Sequence, residues 1–194
     1  MALTYFKLWN DDAMTSEFDW SGGDKLQFSE DGYATLYFGS TDSTKQCRGS
    51  GDTDMVITPT HAIAEWEAST AYSLTNKVRT VSKLGYHFQC TTAGTSGATE
   101  PNWATADAVD DTIVDGTVTW TNIGKLHELT EIKLASTYAG LASATAGAAL
   151  NIGKIAAGGT GTAKQIWIQM TDATGGLAST NLSLAFNELE ELAV

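Results

Sequence analysis

Alternation of apolar and polar residues dominates this chain, and it predicts strands. In Tyr33-Ala34-Thr35-Leu36-Tyr37-Phe38 the two tyrosines and Thr35 share one face, with Ala34, Leu36 and Phe38 on the other. That is the period of two expected of a half-buried strand. The same reading gives strands at Leu3 to Trp9, at Lys25 to Phe28, and at Met55 to Thr58, where Pro59 is expected to end the strand. Later come Thr130 to Ala135, the weaker Ala148 to Gly153, the strong Gln165 to Met170, and Thr180 to Phe186 with Leu182, Leu184 and Phe186 on one face. Polar and glycine-rich stretches separate them: Asn10 to Asp12, Trp20 to Asp24, Glu30 to Gly32, a long loop from Ser40 to Asp54, Ala156 to Gly161, and Asp172 to Gly176. No stretch keeps a helical period; Ser136 to Ala149 is alanine-rich, but Gly140 and Gly147 limit it to a helical turn.

Strands spaced by turns predict an all-β fold, an antiparallel β-sandwich. Between its two runs of strands lies a stretch of different character. From Trp66 to Trp120 come Trp66, Tyr72, Tyr86, Phe88, Trp103 and Trp120, which include three of the six tryptophans. Neither flanking run alone makes a full sandwich, so the expected organisation is a host β-sandwich formed by residues 1–61 and 125–194, with a small β module, residues 62–124, inserted into one of its loops. Three small units in a row is the rival arrangement.

Charge narrows the functions. With 23 acidic against 11 basic side chains, a formal net charge of -12, the chain repels phosphate, so nucleic acid is not an expected partner. The acidic residues are scattered and 42% of residues are hydrophobic, which describes a globular protein and not an acidic tail. No apolar stretch is long enough to span a membrane, and Met1 to Lys7 lacks the pattern of a signal peptide. Cys47 and Cys90 are expected to be free buried thiols, suited to assembly in a reducing cytoplasm.

In the aromatic stretch, Trp66, Thr70-Ala71-Tyr72, Val78, Gly85-Tyr86 with Phe88 and Cys90, Thr95-Ser96-Gly97, Glu100-Pro101, Trp103 and the closing Asp115-Gly116-Thr117-Val118-Thr119-Trp120 resemble the small carbohydrate-binding modules related to chitin-binding types five and twelve. The resemblance spans Ala62 to Ile123. Its ending in Asp-Gly-Thr-Val-x-Trp is similar to a version found in bacteriophage tail and virion proteins. Where the family has Gly-Asp before the valine, this chain has Thr75-Asn76-Lys77-Val78, so the positive φ of that turn is expected at Asn76. The flanking halves, through Phe6-Lys7-Leu8-Trp9, Glu131 to Ala135, Ile166-Trp167-Ile168 and Leu182-Ser183-Leu184, are fainter in their similarity to virion β-sandwiches of tailed phages.

The resemblance implies a non-enzymatic virion protein, assembled in the host cytoplasm: a capsid decoration or cement protein in contact with other virion proteins (major capsid or tail protein), as a homo-oligomer. The alternatives are a tail, baseplate or fibre component binding host-surface glycan, or a free carbohydrate-binding adhesin. Pyranose rings stack on flat aromatic side chains, and the carbohydrate-binding candidates are Trp66, Tyr72, Tyr86 and Trp103, with Glu100 and Asn102 as hydrogen-bonding neighbours. Trp120, ending the Asp115-Gly116 hairpin, is assigned to the core, whereas Tyr86 and Trp103 are the expected exposed platform. Asp107, Asp110, Asp111 and Asp115 crowd carboxylates without the order of a calcium loop and read as a solvated acidic loop, so no metal or other cofactor is expected. His61, His87 and His127 form no metalloprotease motif, no Gly-x-Ser-x-Gly elbow occurs, and Gly158 to Lys164 misses the spacing of a phosphate-binding loop; no enzyme is expected.

Overall fold

A computed structural model describes residues 3–19, 24–80, 82, 85–126, 128–170, 178–179 and 182–194. Residues 20–23 of the turn predicted at Trp20 to Asp24, the predicted turn at 172–176, the first two residues of the strand expected from Thr180, and His127 lie outside the described residues. The fold is all-β: seventeen strands and three short 3₁₀ turns, with no α-helix among the described residues. The chain divides into two compact units, one formed by Met1–Thr60 together with Leu129–Val194 and the other by His61–Glu128.

The discontinuous unit contributes β1 (Lys7–Trp9), β2 (Leu26–Gln27), β3 (Tyr33–Gly39), β4 (Lys45–Gly49) and β5 (Met55–His61, which crosses into the second unit). The second unit holds β6 (Ala71–Tyr72), β7 (Lys77–Arg79), β8 (Tyr86–Thr92), β9 (Gly94–Thr95), β10 (Thr112–Asp115) and β11 (Val118–Lys125). The chain then returns to the first unit with β12 (Ile132–Ala135), β13 (Leu150–Gly153), β14 (Lys164–Met170), β15 (Ala178–Ser179), β16 (Leu182–Phe186) and β17 (Leu189–Ala193).

In the first unit, β1-β3-β14-β12 form one antiparallel sheet. A second layer comprises β13-β5-β16 and the pair β17-β4, tied together where Cys47 and Ile155 exchange both backbone hydrogen bonds at 2.9 Å. The alternation of β3 holds: Ala34, Leu36 and Phe38 are buried while Tyr33, Thr35 and Tyr37 are half-exposed. Ile166, Ile168 and Met170 of β14 point the same way, and with Met55, Ile57, Ile152 and Leu184 from the other layer they make one apolar core. Phe38 also packs on Phe186, ring centroids 4.5 Å apart. This is sheet on sheet, each face closing the other from water.

Two sequence expectations change. The stretch from Ser40 to Asp54 is not all loop, because β4 runs through it in register with β17. Neither strand advertises itself through apolar alternation; Arg48 bonds Glu190 at 3.3 Å across the pair, and the Glu191 carboxylate accepts the N–H groups of Thr4, Tyr5 and Phe6 at 2.7 to 2.8 Å. Pro59 does not end its strand: β5 continues to His61, since the ladder to β13 stops at Ile57 and asks no N–H of residue 59 on that account. The alanine-rich stretch yields only the 3₁₀ turn Ala139–Ala142.

The second unit is a four-stranded antiparallel sheet, β10-β11-β8-β7, beside the pair β6-β9. Trp66, Val78, Phe88, Cys90, Trp103, Ala106, Val118 and Trp120 form its own core. Asp115 pairs with Val118, so Gly116 and Thr117 make the two-residue hairpin turn, with Gly116 at φ +61. Because this core is complete within one continuous segment, residues 61–128 expressed alone are expected to fold cooperatively, with buried tryptophan fluorescence and dispersed amide resonances, whereas residues 1–60 alone are expected to stay unfolded for want of β12, β13 and β14. A disordered spectrum from the 61–128 fragment would contradict this separation.

Candidate functional site

The centre of the second unit is a buried carboxylate. Asp115 ends β10 and is almost inaccessible to solvent. One of its oxygens accepts the indole N–H of Trp66 at 2.7 Å and that of Trp120 at 3.1 Å; the other accepts the backbone N–H of Gly97 at 2.7 Å. A buried charge requires such donors, and a buried indole N–H requires an acceptor, so each satisfies the other. Hairpin and loop are held tightly together here: a Cβ on Gly116 would lie 2.4 Å from the carbonyl oxygen of Thr95, and one on Gly94 would lie 2.4 Å from Oγ1 of Thr117.

Trp103 corrects the expectation most sharply. It is not an exposed platform but 1% accessible, placed inward by the 3₁₀ turn Trp103–Thr105. Its ring lies 4.4 Å from Phe88 and 6.3 Å, edge-on, from Trp120. Glu100, expected to meet sugar hydroxyls, accepts the Trp103 indole N–H at 2.7 Å and the Ser82 N–H at 3.1 Å. Trp66, another candidate platform, is also buried, with its N–H committed to Asp115. Trp120 is in the core as expected, fully buried.

Of the remaining candidates, Tyr72 is half-buried, edge-on to Trp120 at 4.7 Å, and its hydroxyl accepts the Glu67 N–H at 2.9 Å. Tyr86 at the start of β8 is half-buried against the same core, and Asn102 is exposed. The six candidate residues therefore do not form one exposed aromatic surface. Trp66 and Trp103 are walls of a core, Glu100 is a clamp on Trp103, and only Tyr72 and Tyr86 present part of a ring to solvent.

The turn before Val78 also differs from expectation. Thr75, not Asn76, takes the positive φ, at 72°. This is costly for a β-branched residue. It is held there because the Thr75 N–H reaches the Cys90 carbonyl at 3.0 Å and Asn76 turns its side-chain oxygen to the Ser73 N–H at 2.8 Å. The asparagine thus closes the turn through its side chain.

The acidic loop does not converge. Asp107 and Asp110 are exposed, Asp111 accepts the Ala108 N–H at 3.0 Å, and Asp115 points into the core. Among the described residues no group of three His, Cys, Asp or Glu side chains is placed to hold a metal ion. Burial lowers the pKa of His87, opposed by its bond to the Gly124 carbonyl, so the neutral ring donates from Nδ1 at 3.0 Å. Both cysteines are free and buried; burial, with the nearby Glu191 charge, pushes the Cys47 thiol up to about 12, and burial raises Cys90 as well. Neither is a reactive thiolate near neutral pH.

Sequence reasoning passed over three polar residues on which the unit depends: Asp115, read as loop acid; Ser96, whose hydroxyl donates to the Glu67 carbonyl at 2.7 Å and accepts the Thr70 N–H at 2.9 Å; and Asn122, buried in β11 with its amide on the Ala106 carbonyl at 2.8 Å. The available signal was the tight Asp-Gly turn five residues before Trp120, which places a carboxylate beside an indole. Compared with models of known protein families, with curated protein sequences and with solved structures, the chain shows no match.

Asp115→Ala is expected to cost about 2–6 kcal/mol in the second unit, one unpaired-donor penalty for each stranded indole N–H, and Asp115→Asn distinctly less because one oxygen acceptor remains. Urea denaturation followed by tryptophan emission measures both; an alanine variant as stable as the parent would show that the carboxylate does not hold the core.

Proposed function

We propose that this chain is a non-enzymatic structural protein of a bacteriophage virion, a decoration or cement protein whose β-sandwich docks in the particle and carries the second unit as a rigid knob. The observation that carries this reading is the burial of Trp66, Trp103 and Trp120 around Asp115. Aromatic residues that would serve an adhesin as an open platform serve here as internal scaffold. The resemblance of Trp66 to Trp120 to modules found in virion proteins agrees with it.

Docking follows from the sandwich. β1 and β12 are the edges of its four-stranded sheet, and β13 and β16 those of the three-stranded one. The outer side of β1 is covered by its bridge to Glu17, so docking falls to backbone groups left over along the other edges, which accept strands or loops of capsid or tail subunits, or of sibling copies in a homo-oligomer. Many copies on one particle multiply a weak contact through effective concentration. A second reading, a tail or fibre component that touches host glycan, is favoured by the half-exposed rings of Tyr72 and Tyr86 alone.

Copy number in the purified particle separates the two. Quantitative mass spectrometry against the major capsid protein is expected to give a ratio near one, or one per capsomer. A handful of copies would favour the tail reading, and absence from the particle would overturn both.

A further inference from the structure

The first unit carries an aromatic surface of its own, on the face of the β1-β3-β14-β12 sheet turned away from the core. In an antiparallel sheet, residues directly opposite one another share a face. The register opposes Tyr37 to Gln165, Thr35 to Trp167 and Tyr33 to Gln169. Each aromatic ring therefore has a hydroxyl or amide beside it. Gln165 donates its side-chain N–H to the Tyr37 hydroxyl at 3.0 Å, and Gln169 donates to that of Tyr33 at 3.4 Å. Tyr138, 54% exposed, stands edge-on to Tyr33 at 5.0 Å and to Trp167 at 5.2 Å, linking the two strands' rings. Tyr33 and Tyr37 are four residues apart, roughly 14 Å along the strand at ~3.4 Å per residue. Beyond Tyr37 a cleft of about 350 Å³ continues, lined by Tyr37, Gln165, Asp12 and Thr160 among others.

We infer that this sheet face binds a neutral oligosaccharide of flat, equatorially linked pyranose units. Pyranoses alternate an apolar C–H face with a hydroxyl edge, and the checkerboard of rings and amides matches both. Hydrogen bonds and edge contacts hold the rings in place before any ligand arrives, which lowers the entropic cost of binding. Charge selects for neutrality: in a chain of net charge -12 the three opposed pairs at the heart of this face carry no formal charge, with Lys133 opposite Gln169 and Asp12 in the cleft. The rings of Tyr33, Tyr37 and Trp167 are half-exposed, Trp167 lying opposite the buried Ala135 and against Tyr138. This site lies in a different unit from Tyr72 and Tyr86 and does not depend on the virion reading.

The test uses the purified full chain, with its tryptophan indole resonances followed by NMR during titration with chitohexaose and with cellohexaose. The expected result is a saturable shift of Trp167 with one of these sugars while Trp66, Trp103 and Trp120 stay still. Tyr138→Ala, and separately the paired Gln165→Ala and Gln169→Ala, are expected to weaken binding about tenfold, the scale of one lost aromatic or polar contact, while the chain still unfolds in one cooperative transition at a modestly lower midpoint. Failure of both sugars to shift Trp167, binding undiminished in both variants, or protection of this face by self-association without sugar would each overturn the site. Because the measurement is made off the particle, none of these outcomes bears on virion association.

Discussion

Two indole N–H groups and one backbone N–H meet on the carboxylate of Asp115, and the second unit is organised by that meeting. Removing a carboxylate from water costs several kcal/mol unless its lone pairs are filled. Here the donors come from Trp66, before the first strand of the unit, from Trp120, in the last, and from Gly97 in the loop between. One side chain thus ties the two ends of a small segment to its middle. The close approach of Gly94 and Gly116 to neighbouring backbone and side-chain atoms follows from the same constraint, since a side chain at either position would push loop and hairpin apart.

On the function proposed above, the two units differ in what they offer. Small modules have little interior, and this one fills its interior with the tryptophans that a glycan-binding module would display. The sandwich has the opposite economy. Its core is aliphatic and phenylalanine-rich, so tyrosines and Trp167 remain on the outer face of β3 and β14 with glutamines opposite. A tightly cored unit and the binding face inferred for the sandwich would both suit a component of a large assembly, in which weakly binding faces are presented many times over.

Much of the fold was legible because period-two alternation and burial are the same fact seen twice. Tyr33 to Phe38 and Gln165 to Met170 alternate in sequence and in accessibility. What stayed hidden was held by other forces. β4 has only Cys47 and Gly49 turned inward, and it is fixed by backbone pairing and by Arg48 on Glu190; β17 reads Leu-Glu-Glu-Leu-Ala, with no alternation to find. The candidate site was less legible still. Trp103 follows Glu100, Pro101 and Asn102, a polar setting that suggests a surface loop, yet it is buried at the start of a 3₁₀ turn and Glu100 supplies the acceptor its indole needs. Whether an aromatic residue serves as wall or platform depends on where its N–H finds a partner, and such partners are set by tertiary contacts that spacing does not encode. The row of Tyr33, Thr35 and Tyr37 was visible as one face of its strand, but its pairing with Gln165, Trp167 and Gln169 required the strand register.

The most direct measurement is hydrogen exchange at the indole N–H groups, resolved residue by residue by NMR in the folded chain. Trp66, Trp103 and Trp120 are expected to exchange only through opening of the second unit, since each is buried and bonded to a carboxylate, and Trp66 and Trp120 are expected to lose protection together because they share Asp115. Rapid exchange at any of the three while the backbone amides of β8 and β11 remain protected would show an exposed ring where a core residue belongs, and would return the recognition surface to the second unit.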